Sequence, residues 1–214
     1  MSAITAPTSP RRRGEAQRQG IALLAAMVAV LWVVAVINTI DGDRLDHDGI
    51  YGRSFGHLWG ILTTPFIHAS FAHLIANTIP FVFLGFIIAM KGAARLAKVT
   101  MLVIVIGGLG TWLVAPSNIP TIGASGVVFG YATYLLARGF FDRSVGELLI
   151  GVIVGVIWGG ALLASLVPHA GISWQGHLFG AVGGVAAASA LRRDRLRPGR
   201  TGRPPGRPVG AVAK

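Results

Sequence analysis

Six apolar runs alternate with short polar connections along the 214-residue chain, covering about 21–40, 66–90, 97–115, 125–138, 147–166 and 174–191. A helix needs about 20 apolar residues to cross the ~30 Å hydrocarbon core of a bilayer, and most of the runs reach that length. The pattern predicts an all-α membrane protein with six transmembrane helices. The first run is long and no small-residue cleavage site follows it, so it reads as a span and not as a cleavable signal. The fourth run is the exception. From Ser125 to Ala137 there are 13 residues, roughly 20 Å of helix at ~1.5 Å per residue. The stretch before it, from Pro116 to Ala124, has two prolines, a glycine and no charge. Irregular backbone enters hydrocarbon only where protein or water surrounds it. The expectation is a loop that dips in from one side and a short central fourth helix that starts at Ser125, enclosed by the other spans.

Composition agrees with a membrane protein. Hydrophobic side chains make up 53% of the chain, charged ones 13%, and the mean hydropathy is +0.65, too apolar for an ordinary soluble domain. With no cysteine, disulfides and cysteine-ligated metals are excluded. The formal net charge of +11 invites a nucleic-acid reading, but its distribution argues against one. Arg11, Arg12, Arg13 and Arg18 precede the first run; Lys91, Arg95 and Lys98 follow the second; Arg138 and Arg143 follow the fourth; Arg192, Arg193, Arg195 and Arg197 follow the sixth. The other connections hold only Arg44 and Arg53, beside Asp41, Asp43, Asp46 and Asp48. By the positive-inside rule both termini are cytoplasmic, in a multi-pass protein of the cell (inner) membrane. Three regions follow: a basic cytoplasmic segment over 1–20, a membrane domain over 21–192, and a basic Pro/Gly-rich disordered tail over 193–214, which reads first as a solvated tail that helps fix orientation and only second as a contact for anionic lipid head groups. The lipid bilayer is an expected partner and nucleic acid is not.

Charge then bears on chemistry, because ionisable groups inside a membrane are rare and usually functional. Ser125 opens the fourth run and His177 lies near the start of the sixth, both in glycine-rich apolar sequence on the external side. Gly126 and Gly130 are four apart, as are Gly176, Gly180 and Gly184, so each set lies on one helix face and lets backbones approach closely. Such faces also serve as plain packing seams. At one depth, however, they bring a nucleophile to its base. In the second run His73 and Asn77 share a helix face; both are donors, for an oxyanion or as glue between helices. His68 and His73 are five apart, on different faces if helical, with no carboxylate close by, so no metal site is expected. His47, His57 and His169 read as surface residues of external connections. Asp142 and Glu147 lie on the cytoplasmic side, too far in depth to complete a triad.

These residues resemble a known family. Gly123-Ala124-Ser125-Gly126 is similar to the GxSG motif of rhomboid intramembrane serine proteases. His68, His73 and Asn77 resemble that family's His-x4-His-x3-Asn pattern on the second span. Gly176-His177, with Gly180 and Gly184 beyond, resembles its glycine-flanked histidine on the sixth. The resemblance covers about 21–192 and implies a rhomboid-like bundle. It implies that Ser125 is the nucleophile and His177 the general base of a dyad without a carboxylate. His73, Asn77 and the Ser125 amide would form the oxyanion hole, with the Ala124 amide beside them. Gly123 would permit the tight turn into the helix, with Gly126 behind it, and His68 would bond external loop backbone. Phe129 stands where many relatives stack a tyrosine on the histidine. Where relatives often carry a Trp-Arg pair in the first external loop, this chain has Trp59-Gly60. That departure bears on the loop's stabilising contacts and not on the catalytic residues.

The resemblance also implies the substrates, single-span membrane proteins cut at small residues in or near the membrane, and implies no cofactor. Because a helix protects its own peptide bonds, helix-weakening spans are the expected targets. A relative that binds membrane proteins without cutting them is the first alternative, against which stand the intact Ser125 and His177. A transporter or channel subunit that uses the half-helix as a binding site is the second, against which stands the lack of an internal repeat.

Overall fold

Helix-forming sequence reaches further than the apolar runs do. The computed structural model describes residues 10–168 and 171–192. Among these, seven α-helices form: α1 (Pro10–Ile40), α2 (Gly60–Thr63), α3 (Phe71–Ala89), α4 (Ala93–Val114), α5 (Ser125–Asp142), α6 (Val145–Ala164) and α7 (Trp174–Ala190). Ile50 and Thr121 form an isolated antiparallel bridge. The fold is all-α, and α1, α3 and α4 are each long and apolar enough to cross a membrane. The expected tail, His169 and the first nine residues lie outside the described residues.

Three boundaries differ from the hydropathy pattern. α1 begins at Pro10 rather than near 21, because the arginines, alanines and glutamines of the basic segment are good helix formers and proline suits a first turn. α3 begins at Phe71 rather than 66. Pro65 sits in a single 3₁₀ turn, Thr64–Phe66, and Ile67 is extended. Ser70 then caps α3, its hydroxyl accepting from the His73 N–H at 3.1 Å. α5 runs on to Asp142, giving 18 residues or roughly 27 Å. It is longer than the half-depth helix expected, because Arg138 Nε pairs with Asp142 Oδ2 one turn on, at 3.1 Å.

α5 lies at the centre, packed against α7, α6, α4 and α3. Val127, Val128, Tyr131, Ala132, Tyr134 and Leu135 are buried along it. Its contact with α7 is backbone on backbone. A Cβ on Gly180 would run into the Gly126 carbonyl, and one on Gly184 into the Gly130 carbonyl, so larger residues at 180 and 184 would force the helices apart. At the far end of α5, Glu147 Oε1 meets Lys91 Nζ at 2.6 Å and an Arg138 guanidinium nitrogen at 3.5 Å. Asp142 and Glu147 therefore serve a buried ion-pair network that joins α5, α6 and the turn after α3.

The connection from 41 to 70 is structured. Its Arg53 N–H donates to the Trp112 carbonyl at 2.8 Å, and its guanidinium donates to the Leu113 carbonyl at 2.9 Å. Trp112 Nε1 donates back to the Ser54 carbonyl at 3.0 Å. The Trp59-Gly60 departure has a steric reason: a Cβ on Gly60 would run into the Gly49 carbonyl. The loop is held through Arg53, out of register with the usual pair.

Candidate active site

Three helices present their first turns to one place. His73 is the third residue of α3, Ser125 the first of α5 and His177 the fourth of α7. Each start has a local cause. Ser70 caps α3; Ser173 caps α7, accepting from the Gly176 N–H at 3.3 Å. α5 follows a descending segment whose backbone is bonded as it goes in. Thr121 exchanges hydrogen bonds with Ile50 at 3.0 and 2.9 Å, and the Gly123 N–H donates to the Thr64 carbonyl at 3.0 Å. The Thr64 hydroxyl donates to the Thr121 carbonyl at 2.9 Å. Ser117, Asn118 and Ile119 are exposed, whereas Thr121, Gly123 and Ala124 are buried. The chain dips into protein and meets its hydrogen-bonding needs there.

Ser125 Oγ lies 2.9 Å from His177 Nε2. On the other side of the ring, Nδ1 lies 2.8 Å from the Ser165 carbonyl oxygen. A carbonyl only accepts, so Nδ1 carries the proton and Nε2 offers its lone pair to the serine hydroxyl. Phe129 lies flat on the imidazole, ring centroids 4.3 Å apart and planes within 6°. This contact fixes the ring plane without a hydroxyl.

The other side of the site centres on Gly123. Its φ of +114° is a conformation that side chains rarely adopt. A methyl there would lie 2.8 Å from His73 Nε2 and 3.6 Å from Asn77 Nδ2. The space beside Gly123, faced by these two side chains, exists because residue 123 has none. Asn77 is buried, and its amide nitrogen has no partner among the described residues. As first residue of α5, Ser125 contributes an N–H without an intrahelical acceptor.

Ala124 departs from what the resemblance implies. The Ala124 N–H donates to His68 Nε2 at 3.3 Å, so it is engaged rather than turned toward an oxyanion. His68 precedes α3 instead of lying on it, and helical spacing does not govern its distance from His73; the two rings meet edge to face at 5.1 Å. Gly126 has its place in the seam with α7. No group of three or more metal-ligating side chains occurs among the described residues.

A cavity of about 510 Å³ unites His73, Asn77, Ser125 and His177, with Trp158 and Ser165 of the α6 side on its far wall. A second, of about 640 Å³, shares His73, Ile122 and Ser173 with it and continues past Pro120 and Trp174. Ser165 and Trp158 leave little trace in the sequence: one acts through its main chain, and the other reads as one more apolar residue of a span.

Comparison with known proteins points to one family. The family model for the rhomboid domain matches residues 55–194. An uncharacterised protein of Mycobacterium tuberculosis (strain ATCC 25618 / H37Rv) is 41% identical over 203 residues, covering 88% of this chain and 85% of that protein. The rhomboid-family protein YdcA of Bacillus subtilis (strain 168) is 30% identical over 175 residues, 77% of this chain and 84% of YdcA. The rhomboid protease GluP of the same organism is 30% identical over 142 residues, 64% of this chain and 26% of GluP.

Proposed function

The chain belongs to the rhomboid family of membrane proteins, and from that premise we propose that it is a serine endopeptidase that cuts peptide bonds in or near the transmembrane segments of single-span proteins. One observation carries the reading: a serine hydroxyl 2.9 Å from an imidazole nitrogen whose ring partner is fixed as its proton-bearing side.

In this reading α1, α3, α4, α5, α6 and α7 are six spans of a cell-membrane protein with both termini in the cytoplasm. The region over 21–192 is the protease domain; 1–20 and 193–214 are cytoplasmic. The cavity opens to the external side, supplying the water that lipid lacks. The substrate's main chain lies across the cavity. His177 Nε2 takes the Ser125 proton as Oγ bonds to the scissile carbonyl carbon, giving a tetrahedral oxyanion. The imidazolium then protonates the departing amine, leaving an acyl-enzyme. Water, deprotonated by the same nitrogen, releases the acid and restores the serine.

The developing anion lies beside Gly123, where Asn77 Nδ2, His73 Nε2 and the Ser125 N–H can donate to it. Three helix N-termini meet there, and their macrodipoles favour negative charge. Asn77 supports this assignment in particular: a buried donor without an acceptor costs stability, and a role toward a transient partner accounts for its being kept. The apolar wall of Ile122, Val128 and Ile172 suits small uncharged side chains next to the cut.

The test is cleavage of a panel of single-span proteins in proteoliposomes, with fluorophosphonate labelling in parallel. Both are expected from the wild-type protein and neither from Ser125→Ala or His177→Ala. Wild-type-like cleavage by a folded Ser125→Ala protein would falsify the reading.

A further inference from the structure

The base has a third partner that no side chain supplies. Ser165 follows the last residue of α6 and keeps a helical backbone, φ −76° and ψ −5°. The final carbonyls of a helix have no intrahelical donor. Here the following amides turn back to earlier residues, Leu166 N–H to Leu163 and Val167 N–H to Ala164, at 3.1 and 3.2 Å. The Ser165 carbonyl is left to accept from His177 Nδ1 at 2.8 Å. The Ser165 hydroxyl is engaged elsewhere, on the Ala161 carbonyl at 2.8 Å.

We propose that the Ser165 carbonyl, at the C-terminal end of α6, is the positioning group that completes the Ser125–His177 dyad in the place where a triad has its carboxylate. The assignment rests on the protease reading above. Its work has two parts. It holds the imidazole in the tautomer that leaves Nε2 free to take a proton. It also stabilises the imidazolium, because acceptance from a charged donor is stronger than from a neutral one, and the negative end of the α6 macrodipole points the same way.

This makes the seat of α6 part of the catalytic geometry. α6 is fixed to the bundle at its other end, where Glu147 meets Lys91 and Arg138 and where Gly151 lies close to the Leu135 carbonyl. Toward Ser165 the contacts thin out: a Cβ on Gly159 or Gly160 would meet nothing within 4 Å and Val156 and Leu163 are exposed, while Trp158 reaches the core beside Phe83. A helix held more tightly at one end moves most at the other, where the Ser165 carbonyl sits. Displacing that end removes the acceptor from His177 and weakens the base. The dyad is therefore competent when α6 is seated and impaired when it leans outward.

The experiment weakens the carbonyl without touching any side chain. Leu166→leucic acid, introduced by nonsense suppression, turns the 165–166 amide into an ester, whose carbonyl is a poorer acceptor, and removes one amide N–H. Val167→2-hydroxyisovaleric acid is the control; it removes the equivalent amide N–H one residue on and leaves the Ser165 carbonyl an amide. Turnover of a single-span substrate in proteoliposomes and fluorophosphonate labelling of Ser125 are measured for both. The Leu166 ester is expected to lose about tenfold in kcat and in labelling rate with KM unchanged, and the Val167 ester to match the wild type. Equal rates in the two esters, or a rise in KM with kcat intact, overturn the assignment while the protease reading stands. A wild-type protein that neither labels nor cleaves overturns both. A second measurement needs no substitution: in ¹⁵N-histidine-labelled protein His177 is expected to carry its proton on Nδ1, and a proton on Nε2 overturns the assignment.

Discussion

Burying an amide N–H₂ without an acceptor costs about 1–3 kcal/mol, and Asn77 does so beside the Gly123 cradle. If that donor is reserved for the oxyanion, Asn77→Ala should lose about 10²–10³ in kcat, the usual effect of removing one such donor, with little loss of thermal stability. A kcat within threefold of wild type would leave Asn77 as packing. Gly123→Ala should be as damaging for a different reason: the new methyl enters the cradle, at a backbone φ of +114° that alanine resists. Its signature is loss of both labelling and cleavage in a protein that still inserts. Ser125, His177, His73 and Asn77 could be picked out in the sequence because each puts a polar side chain where lipid-facing sequence has none. The Ser165 carbonyl could not, since every residue has one. His68 misled for a related reason: a five-residue spacing predicts opposite helix faces only when both residues are on the helix, and Pro65 delays the helix until Phe71.

Between helices, the α5–α7 seam and the ion-pair network make separate predictions. Gly180→Val drives a side chain into the Gly126 carbonyl and should lower both thermal stability and activity, since the same seam sets the Ser125–His177 distance. Glu147→Gln strips a carboxylate from Lys91 and Arg138. Breaking a buried pair costs about 3–5 kcal/mol, less here because Lys91 is partly exposed, so the melting temperature should drop while the substrate KM stays put. A Glu147→Gln protein as stable as wild type would show the network to be idle. The glycine periodicity made this seam legible. The length of α5 was not, because an Arg138 inside a hydrophobic run looks like an end until its partner Asp142 is seen one turn on. Gly60 was likewise opaque: only the path of Gly49 and Ile50 explains why nothing larger fits.

For the molecule as a whole, the lack of cysteine turns topology into a simple measurement. On intact cells Ser117→Cys should react with a membrane-impermeant thiol reagent and Gly146→Cys should not; the reverse pattern would invert the protein. Run lengths conveyed an all-helical membrane protein before any coordinates, whereas the folded 41–70 connection, polar and short of apolar periodicity, conveyed almost nothing. α1 adds something more. Its 31 residues make roughly 46 Å of helix, against ~30 Å of hydrocarbon. About ten residues project past the membrane, and this end of the helix carries Arg11, Arg12, Arg13 and Arg18. Guanidinium groups do not follow a helix into oil, so they act like a float line that fixes how deep the protein rides, and Ser125 rides with it. On the protease reading proposed above, the cut would then be located by height in the bilayer as well as by residue type. Reconstituted in lipids with longer acyl chains, the protein is expected to cleave a given substrate at a shifted position, about one residue for each ~1.5 Å of relative displacement, which mass spectrometry of the products would read directly.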